Sequence, residues 1–196
     1  MDISQKDDAI SKNSHSLDMN PYFRFNANSK QIEDLVFNCR GIIINERFWN
    51  RIRDELTELL KDQGPLVLYQ LGLSYGVDVG SQGRSLTNDF TNAIKFLEYY
   101  GLLAGWGRFE TSVFQLNDDR IGESVIVKIR DSFFAQTTKN HTGNPSCYFV
   151  SGLLAGIAEG LFEEGHHCLE KRCLSAGSEF CEFIIRRNVV DPTSSL

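Results

Sequence analysis

The stretch CLEKRCLSAGSEFCEF, residues 168–183, gathers three of the chain's five cysteines around a glycine turn. Thiols at this density serve as disulfide partners, metal ligands, reactive groups or small buried hydrophobes. Five cysteines cannot all pair within one chain. The N-terminus MDISQKDDAISKNSHSLDMN is polar throughout, unlike a secretory leader. A cytoplasmic protein with reduced thiols is therefore expected. Zinc takes four ligands, with thiolate sulfur at about 2.3 Å and carboxylate oxygen at about 2.0–2.2 Å. Cys173 and Cys181 flank Ala176-Gly177 and can face each other across that turn, with Glu170 a short step upstream. Cys147, opening a helix, is the natural fourth donor, and the positive helix end would lower its pKa.

This reading sets conditions. Three thiolates, one carboxylate and a zinc ion sum to a charge of about −2, which Lys171 and Arg172 are placed to offset. A regular strand would send Glu170 and Cys173 to opposite faces. A bulge or bend is therefore required at Lys171-Arg172. His166, His167 and Cys168 are nearby and chemically able to bind metal. Cys168 and Cys39 read equally well as core or surface thiols. No CxxC pair is present to decide among these sets.

The elements that must hold these residues follow from pattern. Residues 1–20 read as a flexible polar tail, and 188–196 as a C-terminal one, leaving 21–187 as a single domain. GIIIN, 41–45, reads as a short buried strand, and Asn45 can cap the helix after it. From Glu46 to Lys61, Phe48, Trp49, Ile52, Leu56, Leu59 and Leu60 recur at helical spacing. Pro65 can begin a second helix, and 87–101 reads as a third. GRFETSVFQLNDDR and ESVIVKIRDSFF read as strands joined through a turn near Asn117–Gly122. After the loop TTKNHTGNPS comes a fourth, very apolar helix, CYFVSGLLAGIAEGLFEEG, and then the cysteine hairpin. Helices early and paired strands late predict an α+β fold, an antiparallel sheet packed with about four helices.

Two of these helices carry glycine ladders at i, i+4, i+8: Gly72, Gly76 and Gly80, then Gly152, Gly156 and Gly160. An interior glycine costs a helix about 1 kcal/mol against alanine, so something must approach the backbone closely. One candidate is another helix or the sheet. The other is a ligand cavity roofed by the two helices, with Gly72, Gly76, Gly152 and Gly156 among its walls. Tyr69 and Tyr75 on one helix, and Tyr148, Phe149, Leu153 and Phe162 on the other, would then line it.

Composition excludes several classes. A net charge of −6 argues against a nucleic-acid surface, and no apolar run approaches the roughly 20 residues of a membrane span. There is no GxGxxG after a strand and no visible Ser/His/Asp or Cys/His arrangement. Four protein ligands would leave a metal no open position for water, so a structural zinc and no enzyme are expected.

The run CYFVSGLLAGIAEGLFEEGHHCLEKRCLSAGSEFCEF resembles the 4-vinyl-reductase domain: a cysteine opening a glycine-rich helix, then Glu-x-x-Cys, then a glycine turn and a last cysteine. GIIINERFWNRIRDELTELL followed by LYQLGLSYG is similar to the N-terminal half of the same domain in phenol-sensing transcriptional activators. The resemblance spans roughly residues 38–187. It implies the fold of ligand-binding domains in nitric-oxide signalling and Golgi tethering. It also implies a structural zinc held by Cys147, Glu170, Cys173 and Cys181, a small apolar or aromatic ligand in a buried pocket beside the zinc, and a homodimer. Phenol sensors hold the ligand hydroxyl with a histidine and a tryptophan. Leu97 and Ile129 stand at those positions here, so a more apolar pocket is expected. Such sensors continue into an ATPase and a DNA-binding domain, and with Leu196 ending the chain a stand-alone module is the expectation. An assembly subunit of the Golgi-tether kind, or a tetrapyrrole reductase or accessory factor, is the alternative.

Overall fold

The structure, a computed structural model, describes residues 21–87, 89–114, 124–136 and 146–188. The sequence-based readings of both tails, of the turn near Asn117–Gly122 and of most of the loop 137–146 lie outside those residues, apart from Ser146 and Asn188. The chain divides into two compact units, residues 1–44 and 45–196.

The first unit carries a three-stranded antiparallel sheet in the order β1 (Phe23–Asn26), β2 (Gln31–Asp34), β3 (Cys39–Gly41). The expected buried strand at GIIIN is corrected here. Pairing stops at Gly41, and Ile42 and Ile43 are 72% and 84% exposed, since no neighbouring strand continues the ladder beyond that point.

The second unit contains α1 (Glu46–Leu60), α2 (Gly64–Leu86), α3 (Phe90–Leu103) and α4 (Tyr148–Phe162). Its sheet has the order β4-β5-β7-β6, from β4 (Arg108–Phe114), β5 (Ser124–Arg130), β6 (His166–Arg172) and β7 (Cys181–Arg187). All three pairings are antiparallel. The Asn45 side chain accepts from the Phe48 N–H at 3.0 Å, satisfying an orphan donor at the start of α1. Pro65 sits in the first turn of α2, where its missing N–H costs nothing.

Alternation builds the core. Val125, Val127 and Ile129 of β5, and Cys181, Phe183 and Ile185 of β7, point inward, where α4 covers them. On the other side of α4 lies α2, and the six ladder glycines form the seam between them. A Cβ at Gly72, Gly76 or Gly80 would collide with the carbonyl of Phe149, Leu153 or Ile157. One at Gly152, Gly156 or Gly160 would collide with that of Tyr69, Leu73 or Val77. Each helix thus opens its backbone to the other's carbonyls at a spacing only glycine permits. Of the two candidates for the ladders, the helix neighbour is the one found.

A candidate metal centre and an apolar cavity

Four donor-bearing side chains converge where α4, β6 and β7 meet. One ligand atom each from Cys147, Glu170, Cys173 and Cys181 lies within 4.8 Å of the others, and all four residues are buried. Sulfurs around a shared zinc at about 2.3 Å would stand about 3.8 Å apart, and the Cys147 and Cys173 sulfurs are 3.5 Å apart.

Each donor arrives by a local device. Cys147 is the N-cap residue of α4, and its backbone N–H donates to Glu170 Oε2 at 2.8 Å. Glu170 and Cys173 reach the same side because β6 bulges. Glu170 pairs with Phe183 and Arg172 with Glu182, leaving Lys171 as an extra residue. Cys173 then enters a 3₁₀ turn, Leu174–Ala176, which Gly177 closes at φ +93°, a conformation suited to glycine. Cys181 opens β7 and accepts from the Leu174 N–H at 3.4 Å. Cys173 Sγ also lies 2.9 Å from Ser175 Oγ.

The electrostatics describe a site built for positive charge. Hydrogen bonds from the Cys147 and Cys181 thiols hold Cys173 far below the ordinary thiol range, as a thiolate. Its hydrogen bond to Cys173 pushes Cys147 far up. Burial, partly opposed by the Cys147 amide, raises the Glu170 carboxyl to about 8. Glu170 Oε1 is buried with no hydrogen-bond partner among the described residues. A buried orphan oxygen is costly, and here it faces three thiols. The donor set therefore fits a thiophilic divalent ion, which would let these groups ionise together.

Arg172 does not provide the offset expected of it. The bulge turns it outward, 3.9 Å from Glu182 and 5.7 Å from the Phe180 ring centroid. The alternative donors also lie apart from the cluster. His166 Nδ1 is 2.6 Å from the Glu164 carbonyl, His167 Nδ1 is 2.9 Å from Asn188 Oδ1, and Cys39 is exposed. Cys168 is a buried core thiol whose pKa burial raises.

A cavity of about 60 Å³ lies at the other end of the same strands. Val79 of α2, Ile94, Leu97 and Glu98 of α3, and Trp106 form one side. Phe109 and Thr111 of β4, Val125 and Val127 of β5, and Ile185 of β7 form the sheet side. Leu154, Ile157, Ala158, Leu161 and Phe162 of α4 complete it. Ile129 and Phe183, 1% and 0% exposed, separate it from the thiols, because Ile129 pairs with Cys181 while Val125 pairs with Ile185.

Leu97 and Phe162 of the expected pocket residues line this cavity. Gly72, Gly76, Gly152 and Gly156 are in the helix seam, and Leu153 is fully buried. Tyr69 packs on the core, and Ile129 belongs to it. Phe149 stacks edge-on against Trp49 at 4.9 Å, Tyr75 lies 6.0 Å from Trp106, and Tyr148 is 40% exposed. Two residues along a helix are about 200° apart. The sequence places the aromatics and ladder correctly on the helices, but the cavity faces Leu154 and Ala158, nearly opposite Gly152 and Gly156. Val79, Glu98, Trp106 and Thr111 were not anticipated. Their only sequence signal is inward alternation or helical phase, which does not tell core from cavity wall.

Residues 125–187 match the vinyl-4-reductase domain. The fold is similar to that of the phenol-responsive sensory domain of the transcription activator PoxR, solved with phenol (TM-score 0.75, 16% identity, 91% of this chain and 90% of that one). It is also similar to a vinyl-4-reductase family protein of Methanocaldococcus jannaschii (TM-score 0.53, 17% identity, 76% and 85%). In sequence, the uncharacterized protein MJ0150 of Methanocaldococcus jannaschii is 25% identical over 111 residues, 57% of this chain. The chain spans 27% to 60% of the lengths of the curated relatives it matches. No described helix is long and apolar enough to cross a membrane.

Proposed function

We propose that the chain is a zinc-stabilised small-molecule-binding domain with a sensory or regulatory role, in which the metal has a structural task and the cavity takes the ligand. The observation that carries the reading is Glu170 Oε1, buried and unpartnered, among the thiols of Cys147, Cys173 and Cys181. These four would hold the ion and pin the β6–β7 turn to the head of α4. Zinc suits a set of three sulfurs and one oxygen. All four positions would then be protein ligands, and the ion would do no chemistry.

Ligand binding rests on the cavity and on the sensory-domain likeness. At about 60 Å³ the cavity is smaller than the roughly 150 Å³ of a dry cavity that holds benzene. A short aliphatic body fits it directly, while a ring requires side chains to move. We further propose a cytoplasmic homodimer, with residues 21–187 as the ligand-binding region. Exposed Phe48 and Leu59 on α1, and Leu66 and Leu71 on α2, are consistent with a partner surface.

Native mass spectrometry with elemental analysis of the reduced, purified chain tests the proposal. One zinc per chain is expected, lost in Cys173→Ser. A metal-free, fully stable wild type would overturn it.

A further inference from the structure

Glu98 stands apart from the rest of the cavity wall. The lining is otherwise apolar except for Thr111 and the Trp106 indole, and Glu98 brings into it a carboxylate on α3. The Thr111 N–H donates to Glu98 Oε1 at 2.6 Å. β4 is an edge strand, so this bond covers an otherwise open ladder position and fixes the carboxylate. Among the described residues no lysine, arginine or histidine forms an ion pair with it. A half-buried carboxylate against apolar walls is costly unless a donor or cation meets it.

We infer that Glu98 selects the ligand's head group: the cavity takes a short aliphatic amine in its ammonium form, the apolar body against Val127, Leu154 and Ala158 and the nitrogen on Glu98 Oε2. This rests on the reading of the cavity as a ligand site. An anionic head is repelled by Glu98, and a hydroxyl forms only a weaker bond. Charge-assisted hydrogen bonds are roughly twice as strong as neutral ones.

Glu98→Gln is a clean variant. Its amide carbonyl can still accept from Thr111, while the second oxygen becomes an NH2 donor that repels an ammonium. The probes are isobutylamine, 2-methylpropan-1-ol and isobutyrate, titrated into the full wild-type chain and Glu98→Gln at neutral pH, with affinities from calorimetry and methyl NMR shifts at Val125 and Val127. In wild type the amine is expected to bind tightest and isobutyrate weakest. Glu98→Gln should weaken the amine roughly 10- to 100-fold and the alcohol by less than about threefold. If amine and alcohol bind wild type equally, or Glu98→Gln leaves the amine unchanged, the inference is overturned and the cavity reading stands. If none of the three binds and the valine methyls do not shift, the cavity reading falls and this inference with it. Should Glu98→Gln fail to fold, the amine-to-alcohol ratio in wild type decides.

Discussion

Glu170 and Cys173 share one face of the terminal ribbon because Lys171, between them, is the extra residue of a bulge. Without it, strict alternation would bury one and expose the other. The single inserted position is what lets a carboxylate and a thiol three residues apart approach the same point.

Shortening the ribbon should therefore disarm the cluster. Deleting Lys171 is expected to send Cys173 outward, abolish zinc uptake and lower the melting temperature by about as much as Cys173→Ser. If metal binding rests on several kcal/mol of linked stability, at 2–4 °C per kcal/mol for a domain of this size, the loss is about 10 °C or more. Differential scanning calorimetry with and without a chelator measures it. Equal stability in all three forms would remove the metal from the account.

The helix seam makes a second prediction by contrast. Gly152→Ala places a methyl on the Tyr69 carbonyl, and backbone cannot yield without separating α2 from α4. A cost above about 3 kcal/mol, or loss of folding, is expected. Gly83→Ala meets only the Leu97 side chain, at 3.2–3.4 Å, which can shift. With helix propensity in its favour, that change should stay within about 1 kcal/mol. Chemical denaturation of both variants checks the ordering.

Filling the cavity separates its role from that of the thiols. Ala158 is 3% exposed and lines the cavity, on the α4 face opposite the ladder. Ala158→Val should reduce binding of small apolar probes by about tenfold or more while zinc content stays unchanged. Isothermal titration and metal analysis of the same preparation provide both readings.

A pH dependence follows from His166. Burial lowers its pKa in the folded chain below the ordinary value of 6.5, so the fold holds it neutral. Once the pH falls below 6.5 the unfolded chain binds a proton that the folded chain resists, and stability declines with acidity. His166→Gln should flatten the melting temperature between pH 7 and 5.5 relative to wild type. An unchanged slope would remove His166 as the source.

The sequence made some of this legible for physical reasons. A glycine turn with flanking cysteines limits where their side chains can go, so Cys173 and Cys181 could be brought together on paper. The need for a break at Lys171-Arg172 followed from strand alternation alone. Cys147 needed a tertiary contact, and the resemblance supplied it. The glycine ladders stated that something comes close but not what, since a helix and a ligand ask the same of a backbone. The isoleucines at 42–44 read as buried because burial depends on a neighbour the chain does not name. Glu98 was missed because an acidic residue on an amphipathic helix ordinarily faces water; only the fold of β4 beside it turns that position inward.

The interlocked backbones of α2 and α4 also determine which wall can give way. With carbonyls seated against bare α-carbons along three successive turns, neither helix can slide or tilt alone without losing all its contacts, so the pair behaves as a splint. Any guest larger than the resting void must enter by moving the opposite wall, the α3 segment bearing Ile94, Leu97 and Glu98. The displacement of that one helix is the motion a downstream partner would have to read.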